Sequence, residues 1–415
     1  MRPLDAHLLS DARVLAGYLI FFGSYVVFAL GKFPWMKIDR PGAAIVGAVL
    51  MVAFRILGAR DALASIDLGT IVLLFSMMLI VANLRIGGFF DWVAGTVIER
   101  LHPRHLLPVV VFTSGLLSAF LVNDIVCLVM TPFVLQLTRR LGLRPVPYLL
   151  AVALASNVGS TATITGNPQN MLIGSLSGIS YRGFLIDLAP VALVGLVMTW
   201  ALLHWICLRG SGDRAPVADA VAAVPRARVR LKPVAVLVIV LGGFLTGVPP
   251  ALTAAVGAAV LLITRTVEPR RVYDEVDWGL LVFFIGLFII VGGAERAGLT
   301  RSLLGPVAVW NLHRLGVFVP ATAVLSNLVS NVPAVMLLRT LVSGFPDPHA
   351  GWIALAMTST LAGNLTITGS VANIIVVEGA AAGGVRIGFA DYARVGVPVT
   401  LATLAFGSIW VWMTH

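Results

Sequence analysis

Charge is what this chain has least of. Asp, Glu, Lys and Arg supply 12% of its 415 residues, against about 25% in a soluble globular chain. That scarcity excludes a soluble enzyme or binding module. So does the lack of any polar stretch long enough to fold alone, the longest being residues 209–232. Cysteine is nearly absent: Cys127 and Cys207 both lie in apolar blocks, match no metal-ligand spacing and support no disulfide framework. No nucleophile–base constellation, phosphate loop or zinc spacing is present, so neither catalysis nor a cofactor is expected. The N-terminus does not read as a cleavable secretory leader either. The first apolar block is long and leads to no small-residue cleavage site, so it reads as a first permanent span.

What is there is hydrophobic sequence, 59% of the chain, with a mean hydropathy of +0.97. It falls into blocks of about 20 residues, the length a helix needs to cross the hydrocarbon core. The net charge of +10 fits Lys and Arg at membrane edges, so no nucleic-acid partner is read from it. The expectation is an all-α, multi-pass membrane protein.

One phrase occurs twice. Residues 159–170 read GSTATITGNPQN and residues 362–373 read AGNLTITGSVAN, with TITG repeated at a separation of 203. Other pairs extend the match: Asp67 with Asp277, Gly88 with Gly298 and Gly47 with Gly257 at 210, and Asn123 with Asn331 at 208. A duplicated chain follows, with an N-terminal repeat over 1–207, a linker over 208–232 and a C-terminal repeat over 233–415. Arg85 and Glu295 occupy equivalent positions and are candidates to pair, or simply to end their spans. The linker carries Arg209, Arg214, Arg226, Arg228, Arg230 and Lys232, which places it in the cytoplasm. Arg55, Arg60, Arg301 and Arg314 then fall on the outer side. Each half has an odd number of crossings, so the two repeats are inverted and both termini lie outside.

Residues 105–140 and 305–340 each join two apolar stretches at a polar tip, Val122-Asn123-Asp124 and Ser330-Asn331-Val332. They read as re-entrant hairpins, because a polar tip is tolerated at that depth when buried in protein or lining a cavity. The count is about ten transmembrane helices, two of them discontinuous, plus two hairpins.

The phrases SNVGSTATITGNPQN, FLVNDIVCLVMTP, LSNLVSNVPAVML and AGNLTITGSVANIIVVE resemble the ion transporter superfamily, nearest in look to the arsenite permeases and related anion permeases, with the NhaD-type antiporters beside them. The resemblance implies opposed hairpins, mid-membrane breaks, a homodimer and an elevator-type movement; the expected location is the cell inner (plasma) membrane. Sodium-coupled members carry Ser-Asn-Thr at each tip. Here the hydroxyls are partly missing and an acid appears, which favours proton coupling.

The candidate binding residues are the tips, Asn123, Asp124, Ser330 and Asn331, and the broken spans. The first break offers Ser160, Thr161, Thr163, Asn167 and Asn170; the second offers Asn364, Thr366, Thr368 and Asn373. Half-helix N-termini suit oxyanions and free carbonyls suit cations; close helix packing by small residues is the plainer alternative. Asp124 stands alone in its apolar block, where an acid costs about 2.5–3.5 kcal/mol. It reads as the proton carrier, or else as a cap accepting backbone N–H bonds. Cys127, on the same helical face as Asn123, is a soft donor or plain packing. With no Lys or Arg at the tips, a neutral solute suits the site, so arsenite or antimonite efflux coupled to proton entry is expected. Sodium-coupled di- or tricarboxylate transport, transport of another anion, or sodium/proton exchange is the alternative.

Overall fold

The computed structural model describes residues 3–31, 38–100, 105–209, 229–264, 267–299 and 311–415. Most of the linker, including Arg214, Arg226 and Arg228, lies outside the described residues, as do Arg301 and the stretch 305–310 at the start of the second hairpin segment.

All regular structure among the described residues is helical. The first half contains α1 (Pro3–Leu30), α2 (Arg40–Ala53), α3 (Ala59–Ala64), α4 (Leu68–Ile86), α5 (Phe89–Arg100), α6 (Leu106–Phe120), α7 (Asn123–Arg140), α8 (Pro145–Ser160), α9 (Pro168–Ser177) and α10 (Tyr181–Leu203). The second contains α11 (Leu231–Leu245), α12 (Pro250–Ile263), α13 (Pro269–Asp274), α14 (Trp278–Arg296), α15 (Leu315–Val329), α16 (Asn331–Val342), α17 (Pro348–Leu361), α18 (Val371–Ala382) and α19 (Phe389–Thr414).

Equivalent sequence makes equivalent ends. Asp67 caps α4 through Thr70 N (2.6 Å) and Asp277 caps α14 through Leu280 N (2.9 Å). Such a side-chain oxygen satisfies one of the orphan N–H groups of a first turn. Five of the described helices are long and apolar enough to cross a bilayer singly. Their outward faces keep large apolar groups exposed, among them Leu19, Leu193, Val197, Leu401 and Trp412, as a lipid-facing surface requires.

The halves pack by exchange. α2 lies along α14 and α12 along α4, while α10 crosses α19 and α7 meets α18. Small residues allow this, because lipid tails supply no hydrophobic drive between helices and close van der Waals contact must do the work. A Cβ on Gly159 would stand 2.1 Å from the Gly115 carbonyl oxygen, so α8 and α6 touch backbone to backbone there.

Charged groups sort to two faces. On one, Arg230 N donates to Gly87 O (2.9 Å), Arg144 to Cys207 O (3.1 Å) and Arg139 to Gly383 O. On the opposite face Ser175 bonds Asp67 (2.8 Å) and Arg296 meets Asp61 (3.4 Å). Arg85 and Glu295 do not pair with each other. Arg85 binds Glu275, next to its own helix end, and Glu295 binds Arg339 of α16 at 2.7 Å. The reason is polarity: equivalent residues in α4 and α14 lie at opposite ends of the molecule.

Candidate functional site

The two breaks have one geometry. Thr163 has φ −137° and ψ 161°, and Thr366 has φ −136° and ψ 161°. In each, an asparagine ties the broken backbone together. Asn170 Nδ2 donates to Ser160 O (3.1 Å) and Thr163 O (3.0 Å); Asn373 Nδ2 donates to Gly363 O (2.7 Å) and Thr366 O (3.1 Å). Unmet carbonyls at this depth are costly, and these amides meet them. The carbonyls expected to be free are therefore partly occupied. Gly166 is needed because a Cβ there would fall 2.1 Å from Ser160 O.

Each break reaches into the other half. Asn157 Nδ2 donates to Asn364 Oδ1 (2.9 Å) and Asn373 Oδ1 (3.0 Å), and its Oδ1 accepts from Ser370 Oγ (3.0 Å) and Asn123 Nδ2 (3.0 Å). Thr360 stands in the equivalent place. Its hydroxyl accepts from Asn167 Nδ2 (3.2 Å) and Gln169 Nε2 (3.2 Å) and donates to Asn170 Oδ1 (3.3 Å).

The hairpin tips close on this network. α6 turns into α7 at Leu121–Val122, and α15 into α16 at Ser330, which holds φ +79°, a strained value for a side chain with a Cβ. The Asn331 amide, with its nitrogen toward the Ser359 and Gly369 carbonyls (3.2 Å each), accepts from Gln169 Nε2 (3.3 Å). Asn123 is buried, and its Oδ1 has no hydrogen-bond partner.

Both tips and both second half-helix starts line one cavity of about 320 Å³. Asn123 and Asp124 come from the first tip, Ser330, Asn331 and Val332 from the second. Pro168 and Gln169 open α9, and Ser370 and Val371 open α18. The outer rim is Asp39, Arg40 and Pro41 at the start of α2 and Asp277, Gly279, Leu280 and Phe283 at the start of α14. Asp39 and Asp277 are exposed whereas Asn123 and Asn331 are buried, so the cavity runs from a rim on the basic face to the centre.

Asp124 is the second residue of α7, half-buried, and its carboxylate makes no hydrogen bond or ion pair among the described residues. The capping alternative is therefore not what the fold uses.

Of the expected site residues, Asn123, Asp124, Ser330 and Asn331 line the cavity. Asn167, Asn170, Asn364 and Asn373 form the network beneath it. Ser160 supports that network by accepting from Asn167 (3.0 Å). The threonines turn away. Thr161 bonds back to Asn157 O (3.2 Å), Thr163 to Ala119 O, and Thr366 to Asn327 (3.0 Å), while Thr368 is exposed. Cys127 is buried with its Sγ 2.9 Å from Ser156 Oγ, so it packs rather than faces the cavity.

Sequence reasoning missed five contributors. Asp39, Arg40 and Asp277 come from helix starts remote in sequence from the tips, so Asp124 is not the lone charge and a guanidinium is present after all. Gln169 and Asn157 stood inside the quoted phrases; the signal was their amides at membrane depth.

This fold and site define a multi-pass, all-helical membrane transporter. The citrate transporter family model matches residues 25–362, and the chain belongs to that family, within the ion transporter superfamily. It is 32% identical to the silicon efflux transporter LSI3 of rice, covering 96% of this chain and 98% of that one. It is also 32% identical to the 46 kDa membrane protein of Mycobacterium leprae, covering 95% and 97%. The crystal structure of the Alcanivorax borkumensis YdaH transporter shares the fold, with a TM-score of 0.58 at 16% identity over 98% of both chains.

Proposed function

We propose that the protein is a proton-coupled exporter of a small uncharged metalloid hydroxide, with arsenite (and antimonite) as the first substrate. One observation carries the reading. At the meeting point of both tips and both half-helices, the free Asp124 carboxylate and the unpartnered Asn123 Oδ1 stand among neutral amides and hydroxyls. Arsenous acid presents only hydroxyls at neutral pH, which such groups satisfy without desolvating a charge. Silicon in neutral water is likewise an uncharged hydroxide, so the rice relative's efflux role fits the same chemistry.

In this proposal the halves are inverted repeats of five spans and one re-entrant hairpin each, joined by a cytoplasmic linker. The basic face is cytoplasmic and the cavity is open to it. The outer side is closed by Arg339–Glu295 and by Tyr25 OH on Pro333 O (3.1 Å). Solute loads from inside as Asp124 gives up its proton. The unit α6–α10 with α15–α19 then shifts, elevator-fashion, against a dimeric scaffold. Solute leaves outside, Asp124 is protonated there, and the unit returns. Each proton moving inward also draws about 2.3 kcal/mol per 100 mV of membrane potential.

Arg40 supports a second reading. A guanidinium at the rim and the family's citrate transporter description favour a di- or tricarboxylate with sodium. Everted vesicles decide between them. Acid-inside vesicles should accumulate arsenite, and the gene should restore growth on arsenite to a bacterium lacking its own pump. Sodium-driven citrate or succinate uptake without an arsenite phenotype would select the carboxylate reading.

A further inference from the structure

A second group of ligand-bearing side chains lies far from the cavity, on the face opposite the basic one. There the start of α10, the start of α17 and the end of α19 meet. Asp187, His349 and His415 each bring one donor atom to within 4.8 Å of the others. His349 Nε2 is 2.8 Å from Asp187 Oδ2, and His415 Nε2 is 3.7 Å from Asp187 Oδ1. Ligands about 2.0–2.1 Å from a tetrahedral zinc ion stand about 3.3 Å from one another, and the observed separations straddle that value.

A fourth residue supports these three. Asp347 Oδ1 accepts from the His349 backbone N–H at 2.9 Å, and its Oδ2 faces His415 Nδ1 at 3.8 Å. A carboxylate behind a ligating histidine orients the ring at metal sites. At 3.8 Å Asp347 acts on His415 by charge rather than by a hydrogen bond, with Nε2 turned toward Asp187. Trp410 Nε1 donates to the Asp187 carbonyl oxygen (2.8 Å), which steadies that backbone. The Asp187 and His415 side chains are 17% exposed and His349 37%, so the group is sheltered yet reachable from water.

We propose that Asp187, His349 and His415 bind a borderline divalent transition-metal ion, zinc being the type, with Asp347 orienting His415. Two imidazoles and one carboxylate suit zinc, nickel or copper, and disfavour magnesium and calcium, which prefer oxygen alone. The ion would tie the end of α19 to α10 and to α17, the first half of the second broken span. It would thereby hold the outer end of that half-helix.

The test uses the purified full-length protein without a histidine tag, stripped with chelator. It is titrated with zinc chloride by calorimetry and with cobalt chloride by visible absorption. One zinc per chain is expected, with the visible bands of low-coordinate cobalt(II). His349→Gln and His415→Gln should each weaken binding roughly tenfold or more, and Asp347→Asn by about 10- to 100-fold. Monodisperse elution checks folding of each variant. Where a histidine variant fails it, Asp347→Asn, which keeps a hydrogen-bonding side chain at the helix start, carries the comparison. No stoichiometric zinc binding by the parent, or unchanged affinity in the double histidine variant or in Asp347→Asn, overturns the site and leaves a plain His–Asp ion pair.

Discussion

Asn157 and Thr360 are counterparts in the two broken spans, and each is bonded to the other half's break. Asn157 holds Asn373 at 3.0 Å, and Thr360 holds Asn170 at 3.3 Å. Asn170 and Asn373 in turn hold their own broken backbones. The two breaks are thus one hydrogen-bonded unit. Asn157→Ala strands four partners, whereas Thr360→Val strands only Asn170 Oδ1, because Asn167 keeps Ser160 and Gln169 keeps Asn331. Each buried polar group left unpaired costs about 1–3 kcal/mol, less where neighbours repack. Thermal unfolding in detergent should show both variants destabilised, Asn157→Ala the more. An Asn157→Ala protein as stable as the parent would mean that the amide network does not hold the breaks.

Gly159 is required by contact and Gly23 is not. Gly159→Ala places a Cβ 2.1 Å from a backbone oxygen, whereas a Cβ at Gly23 meets nothing within 4 Å. Gly159→Ala should lose folded yield, at a cost of about 3 kcal/mol or more, beyond usual overpacking. Gly23→Ala should be neutral or stabilise by up to about 1 kcal/mol. Yield and melting temperature of the pair check this.

Arg339 and Glu295 pair at 2.7 Å on the side opposite the cavity rim, with side chains 22% and 37% exposed, and in the proposed cycle they hold that side closed. Glu295→Gln should make single cysteines introduced along α16 label faster from the outer side. The exchanged pair Glu295→Arg with Arg339→Glu should restore slow labelling. Equal rates in all three proteins would show that the pair takes no part in closing that side.

Much of this architecture was legible in the sequence. The hydrophobic blocks correspond to helices, and the repeated TITG phrases fall at the breaks. Their meeting in one place was foreshadowed by the common separations of 203 to 210. What escaped notice has a common cause. Arg40 and Asp277 reach the cavity through packing of α2 on α14, which no local pattern reports. Thr163 and Thr366 looked like ligands because hydroxyls at membrane depth need partners. The fold supplies those partners from the hairpins, at Ala119 O and Asn327. Arg85 and Glu295 matched in register, but they stand at opposite ends of the molecule, where Arg85 meets Glu275 and Glu295 meets Arg339.

Asp277 lies on the cavity rim with Asp124, yet its Oδ1 is engaged with Leu280 N. Asp277→Asn keeps an oxygen for that cap. It should preserve proton-driven accumulation at reduced rate, whereas Asp124→Asn removes the only rim or tip carboxylate without a bond among the described residues. Initial rates across a pH series compare the two.

If Asp124 carries the coupling proton, arsenite accumulation in everted vesicles with an imposed acid-inside gradient depends on its carboxyl group. The parent should concentrate arsenite. Asp124→Asn, folded and inserted to the same level, should pass arsenite only down its gradient and show no dependence on the imposed pH difference. Accumulation by Asp124→Asn equal to the parent's would contradict the assignment and place the proton, or another coupling ion, elsewhere in the cavity.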